Sequence, residues 1–191
     1  MKLLAIARLK RENLKLKKEL KKLRKEAALD HLTNIYNNLA LSRFLEEQVN
    51  FARRYKLPLS IILIDFDNLK KYNDRHGHLQ GNMAIKTAVR AMKSCMRKSD
   101  ILGRWTSGEE FLVILPETNK IGAVILAEKI RNEIEKTRVK PASKNLKHGY
   151  NKITVSLGVS ELISNSKNML HEADLALYKA KRLGKNRVEV A

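Results

Sequence analysis

The chain has little from which to build a disulfide, an aromatic platform or a membrane span. It holds one cysteine, Cys95. A lone thiol excludes an intramolecular disulfide and a cysteine-based zinc site, and it fits a reducing, cytoplasmic setting. Cys95 reads as a small buried hydrophobe between Met92 and Met96. Aromatic residues make up only 5% of the chain, so a core must rest on Ile, Leu, Val and Ala. The most apolar stretches, such as residues 59–64, are far short of the roughly 20 residues that a spanning helix needs. The apolar start at residues 3–7 is too short for a secretory signal, and Arg8, Lys10 and Arg11 follow at once. No membrane segment is expected in this chain. Acidic residues are also scarce: 39 Lys and Arg face 20 Asp and Glu, a formal charge of +19. That balance points to an anionic partner without saying which one.

What remains is enough for one well-buried domain and an appendage, since 43% of the 191 residues are hydrophobic. Glycine and proline are absent from the first 29 residues, which read as one helix. With Ile6, Asn13, Leu20 and Ala27 at heptad position a, Leu9, Leu16 and Leu23 fall at d. The g positions are then Glu12, Glu19 and Glu26, and the e positions are Lys10, Lys17 and Arg24. In a parallel pair, Glu12 meets Lys17 and Glu19 meets Arg24 across the seam, with opposite charge each time. Asn13 at an a position favours two strands in register. The expectation is a parallel coiled-coil homodimer over residues 1–29. A solvated basic helix is the plainer alternative. A basic-zipper DNA reader is disfavoured, because its basic region precedes the zipper, whereas here the basic residues sit within the heptads. No DNA partner is expected.

From residue 30 onward the pattern alternates. Residues 39–56 have helical periodicity that Pro58 ends, and residues 59–66 form a β-branched-rich apolar run, the mark of a buried strand. Gly77 interrupts a second helical stretch that resumes over residues 80–96. Residues 101–104 and 111–115 flank a turn at Ser107-Gly108 and predict a hairpin. Residues 119–137 predict an amphipathic helix, 139–151 a loop, 153–159 a strand, 168–183 a helix and 186–190 a last strand. No unit recurs, so there is no internal repeat.

Asp65 and Asp67 close the apolar strand, and carboxylates there usually hold a metal or a substrate, because burying them unpaired is costly. Glu109 and Glu110 sit at the hairpin tip. Carboxylates from two elements of a basic chain suggest an oxygen-ligated cation such as Mg²⁺, completed by water and phosphate oxygens. Lys179, Lys181, Arg182, Lys185 and Arg187 surround Gly184, a plausible phosphate clamp. Together these suggest phosphoryl or nucleotidyl transfer.

The order of motifs narrows this. Asp30-His31-Leu32-Thr33 resembles the D-x-L-T entry of GGDEF domains, and residues 65–74, DFDNLKKYND, resemble their D-x-D-x-F-K-x-x-N-D. Residues 77–82, GHLQGN, resemble G-H-x-x-G-D, and residues 107–111, SGEEF, resemble G-G-[D/E]-E-F. Residues 154–159, residues 173–181 and Gly184-Lys185-Asn186 complete the set. The chain from 30 to 191 thus resembles the diguanylate cyclases of the GGDEF family. The resemblance implies an α+β, nucleotidyl-cyclase-like fold, a mostly antiparallel sheet wrapped by helices. It implies condensation of two GTP into cyclic di-GMP, one GTP per protomer. Mg²⁺ (or Mn²⁺) would be held by Asp65, the carbonyl of Phe66 and Glu109, with Glu110 assisting. Gly108 would let backbone approach the triphosphate, Leu69, Lys70, Lys181 and Lys185 would bind the nucleotide, and Asn73 and Asn82 would read guanine. Arg97 and Asp100 resemble an R-x-x-D site for inhibition by product, with Arg53 or Arg54 as a second arginine.

Three departures stand out. Ser107 replaces the first signature glycine, one extra residue lies between Arg104 and the signature, and Asn82 stands where the family has Asp. The extra residue could re-aim Glu109 or be absorbed as a bulge. An Asn amide offers one acceptor and a donor pair where a carboxylate offers acceptors only. Cyclases of relaxed base choice that make cyclic AMP-GMP, and catalytically weak cyclic di-GMP receptors, are therefore the rival readings.

Overall fold

The structure is a computed structural model that describes residues 12–17, 19, 27–106, 108–142 and 151–191. Residues 12–17 are helical and exposed. Most of the heptad reading lies outside the described residues.

Helix α1, Asn38–Tyr55, starts where the Asn37 side chain accepts a hydrogen bond from the Ala40 N–H, and it ends on Lys56 in the left-handed region. It buries Leu41, Leu45, Val49 and Ala52, the one-sided spacing of an amphipathic helix. Strand β1, Leu59–Phe66, is buried at all eight positions. Helices α2, Leu69–His76, and α3, His78–Cys95, meet at Gly77. The hairpin of β2, Ile101–Arg104, and β3, Glu110–Pro116, leads into α4, Lys120–Lys136. Two-residue strands β4, Arg138–Val139, and β5, Asn151–Lys152, precede β6, Val155–Glu161. Helix α5, Ser166–Arg182, and strand β7, Val188–Val190, complete the described chain. Among the described residues no helix is long and apolar enough to cross a membrane.

The main sheet has the order β2-β3-β1-β6-β7. All neighbours are antiparallel except β6 and β7, so the expected sheet type is observed. Because β1 is central, its two faces serve two cores. Ile62, Ile64 and Phe66 face α3 and α4, while Leu59, Ile61 and Leu63 face α1 and α5. Each fully buried aliphatic or Phe side chain contributes roughly 1.5–3 kcal/mol. Six of them on one strand outweigh the cost of holding one carboxylate at its end. The period of two then fixes where that carboxylate points: Asp65 lies on the Leu63 face, toward α5.

Two boundaries differ from the sequence expectation. The segment read as a loop over 139–151 begins and ends in the β4–β5 pair, because Val139 is fully buried against the α3/α4 core. The last strand starts at Val188 rather than Asn186, because Gly184, Lys185 and Asn186 all have positive φ.

Candidate active site

At the end of β1, Asp65 is 3% exposed. Its Oδ2 lies 2.6 Å from the Lys181 ammonium, which the last turn of α5 presents on the same face. Its Oδ1 is buried without a hydrogen-bond partner. Glu110 is its neighbour across the β1–β3 ladder, and Glu109 comes just before it at the hairpin tip. Burial pushes the Asp65 carboxyl up to about 6; Lys181 pulls it down, and the charges of Glu109 and Glu110 push it further up. A buried carboxylate oxygen without a donor, facing further carboxylates, suits a cation better than a proton. Among the described residues no three His, Cys, Asp or Glu side chains form a cage that could hold a metal alone. An ion of the Mg²⁺ type does not need one, since phosphate and water supply most of its ligands.

The signature turn is held from outside. Arg104 Nε donates to the Gly108 carbonyl at 2.9 Å, while its Nη1 makes a 3.1 Å ion pair with Asp30. Gly108 has φ +125°, which only glycine adopts without strain. Thr106 Oγ1 donates to Glu110 Oε2, and the Trp105 N–H donates to the Glu110 carbonyl. The ladder stays in register from Ile101 to Arg104, so the extra residue lies in the turn beyond the paired strands and the ladder carries no bulge. Ser107 lies outside the described residues.

Asn73, on α2, has a buried Oδ1 without a partner. Its amide packs on the start of α3, where a Cβ at Gly81 would come within 1.8 Å of that oxygen. Glycine at 81 is therefore what lets this amide sit there. Asn82 is exposed on the next position. Leu69 is buried in the core and Lys70 is exposed. Phe66 turns its ring into the core against Phe111, so only its backbone can serve the cleft. The Lys185 ammonium donates to Asn68 Oδ1, at the mouth of α2.

Asp67, read from sequence with Asp65 as a candidate ligand, has another task. Its carboxylate accepts from Thr154 Oγ1 at 2.7 Å, Ser156 Oγ at 2.6 Å and the Asn186 N–H at 3.0 Å. It pins β1 to β6 and to the C-terminal turn. Sequence reasoning missed this pin, and also Asn186 and the Asp30–Arg104 link. Asp67 shares the strand parity of Asp65, and its partners are hydroxyls 87 and 89 residues away.

Arg97 and Asp100 lie at the other end of the sheet. The Asp100 carboxylate accepts from the Arg97 N–H at 2.7 Å, closing a turn before β2. Both residues line two cavities, one of about 210 Å³ with Thr118 and Lys129, the other of about 310 Å³ with Tyr36 and Lys93. Arg53 and Arg54, at the end of α1, line neither.

Comparison with known proteins finds relatives of this chain in sequence and in fold. The coiled coil and GGDEF domain of DgcB from Caulobacter crescentus, solved with c-di-GMP, superposes with a TM-score of 0.88 at 27% identity, covering 97% of each chain. The active GGEEF domain of a diguanylate cyclase from Vibrio cholerae gives 0.73 at 31% identity, over 81% of this chain and 96% of that one. Diguanylate cyclase DosC of Escherichia coli K12 is 33% identical over 171 residues, 87% of this chain but only 36% of DosC. This chain thus spans little more than a third of that relative's length. The family model described as diguanylate cyclase, GGDEF domain, matches residues 27–187. With most of its length matched in sequence and in fold, the chain belongs to the GGDEF-domain diguanylate cyclase family.

Proposed function

We propose that this chain condenses two GTP molecules into cyclic di-GMP and two pyrophosphates. The observation that carries the reading is the buried Asp65, with one oxygen unpartnered and the other on Lys181, facing Glu109 and Glu110. Asp65, the Phe66 carbonyl and Glu109 would hold Mg²⁺ or Mn²⁺, with Glu110 beside them. Such an ion neutralises triphosphate charge and orients the α-phosphorus for attack.

The chain's own groups divide the remaining work. Lys181, beside Asp65, and Lys185, beside Asn68, would hold phosphate oxygens. Leu69 and Lys70 open α2, where backbone N–H groups are left over for an anion. Asn73 offers a buried acceptor to the N–H edge of guanine, with Asn82 beside it. In each half-reaction the 3′-oxygen of one nucleotide bonds to the α-phosphorus of the other. The bond from that phosphorus to the bridging oxygen breaks, pyrophosphate leaves, and the hydroxyl proton is lost. One protomer supplies one half-site, so two must face each other. A parallel coiled coil over residues 1–29 would hold them, in keeping with the coiled coil of the DgcB structure. Arg97 and Asp100, beside two cavities, suit inhibition by cyclic di-GMP.

Asn82 favours a second reading, relaxed base choice with cyclic AMP-GMP as a product. Incubation with GTP, ATP and Mg²⁺, followed by mass spectrometry, tests both readings. Cyclic di-GMP as the main product is expected. Mixed dinucleotide in comparable amount would favour the second reading, and no cyclic dinucleotide from the folded protein would defeat the proposal.

A further inference from the structure

The turn that carries Lys185 is held in an unfavourable backbone conformation by a cluster that does not include Asp65, Glu109 or Glu110. Three successive residues have positive φ: Gly184 at +113°, Lys185 at +65° and Asn186 at +46°. Glycine accepts this freely, asparagine tolerates it, and lysine does so at a cost. Such a run persists only where its surroundings over-determine it. Three restraints act here. The Lys185 N–H donates to the Ala180 carbonyl at 3.0 Å, ending α5. The Asn186 N–H donates to Asp67 at 3.0 Å. The Asn186 amide is then clipped at both of its ends on α4, with Nδ2 donating to Glu135 at 2.9 Å and Oδ1 accepting from Arg131 at 3.0 Å.

The clip is itself rigid. Arg131 is 15% exposed and pairs with Glu128 and Glu135, each at 2.9 Å. Hydrogen bonds from the Asn186 amide and Arg131 hold the Glu135 carboxyl below its ordinary range. At the other side of the turn, Lys185 reaches Asn68, where α2 begins. Hydrogen bonds thus tie α4 to Asn186 and Lys185 to Asn68, and the peptide bond between residues 185 and 186 joins the two.

We propose that Asn186, backed by Arg131 and Glu135, is a positioning residue for nucleotide binding: its amide clip fixes the left-handed turn that aims the Lys185 ammonium at the phosphates. The inference rests on the reading of Lys185 as a phosphate ligand. The clip would spare Lys185 much of the ordering cost at the moment of binding, which is where a long lysine side chain otherwise loses affinity.

The test measures affinity for α,β-methylene GTP, which binds but cannot be cleaved, by titration calorimetry on the full chain with Mg²⁺. Asn186→Gly keeps the turn conformation and the N–H to Asp67 but loses the clip, so it isolates the amide. It should weaken binding about fivefold, and Asn186→Ala more, since alanine resists positive φ. Glu135→Ala should act in the same direction from outside the cleft. Lys185→Ala should weaken binding about tenfold or more. The double variant Lys185→Ala with Asn186→Gly should bind no worse than Lys185→Ala alone, because the clip acts through that lysine. Additive losses in the double variant would mean that Asn186 supports the fold rather than the lysine, and the inference would fall. Wild-type affinity in both Asn186→Gly and Glu135→Ala would overturn it too, while leaving Lys185 as a phosphate ligand. Wild-type affinity in Lys185→Ala would instead remove the phosphate reading on which the inference stands.

Discussion

Asp65 and Asp67 lie two residues apart on one chain and live in opposite surroundings. Asp67 accepts three hydrogen bonds, two from hydroxyls of β6 and its approach and one from the C-terminal turn, and both of its oxygens are used. Asp65 is more deeply buried, keeps one oxygen unpartnered, and leans on a single lysine while two glutamates oppose it. The first is a pin and the second is an open site. Folding alone would favour pairing both, so an unpaired buried oxygen that persists marks a place where something else is meant to bind.

The comparison can be broken by exchanging the two behaviours. Asp65→Asn and Glu109→Ala should each lower cyclic di-GMP formation by about a hundredfold or more, because each removes charge that would hold the cation. Neither should lower the melting temperature. Asp67→Asn should do the reverse at first order. An amide keeps only one of the two acceptor oxygens, so it loses either the Ser156 bond or those from Thr154 and the Asn186 N–H, and should cost about 1–3 kcal/mol in denaturant unfolding. An Asp65→Asn protein that turns over at the wild-type rate would sink the assignment of the open site, whatever happens to Asp67.

A pH series sharpens the same contrast without nucleotide or metal. The Asp65 carboxyl is raised from the ordinary 3.8 to about 6, with burial as the main cause. A raised folded value means that its contribution to stability is fully present below 3.8 and is lost as pH climbs through about 6. At roughly 1.4 kcal/mol per pH unit, that span amounts to about 3 kcal/mol at most. In metal-free buffer, Asp65→Asn should therefore gain stability over wild type between pH 4 and pH 7. Parallel stability curves for the two proteins across that range would show that Asp65 is not held against its charge.

Much of this was legible in the residues. The run at 59–66 could only be a buried strand, and its length matched β1 residue for residue. Asp65, Glu110 and Lys181, from three separate stretches, come to one face because of strand pairing and the last turn of α5. Other features left no local trace. β4 and β5 are two residues each and exist only as partners of one another. The role of Asp67 depends on hydroxyls of β6 and its approach, which alternate like any half-buried strand. The left-handed run at residues 184–186 is signalled only by its glycine, and its stabilising partners lie on α4, about 50 residues earlier. Periodicity reports which face a residue occupies; it does not report which long-range partner completes it.

The contrast between closed and open polar groups recurs in a pair of amides, and the smallest expected effect lies there. Gln80 is a closed amide: its Nε2 donates to the Lys140 carbonyl at 3.0 Å and its Oε1 accepts from the Ala142 N–H at 2.7 Å. Asn73 is an open one, with Oδ1 buried and unpartnered against Gly81. Asn82 sits at the rim beside them, an exposed amide where the family has a carboxylate. If Asn73 and Asn82 read the base together, guanine's two edge donors meet one buried acceptor and one amide. A poorly satisfied donor costs about 1–3 kcal/mol in a dry site. Asn82 is exposed, so water can replace the missing acceptor, and the cost should lie at the low end. Asn82→Asp should then raise kcat/KM for GTP by about fivefold, leave ATP use unchanged or lower, and shift products away from any mixed dinucleotide. Competition between equal GTP and ATP reads this directly. Identical incorporation ratios and identical GTP efficiency in the two proteins would mean that residue 82 does not touch the base, and Asn73 would then have to discriminate alone.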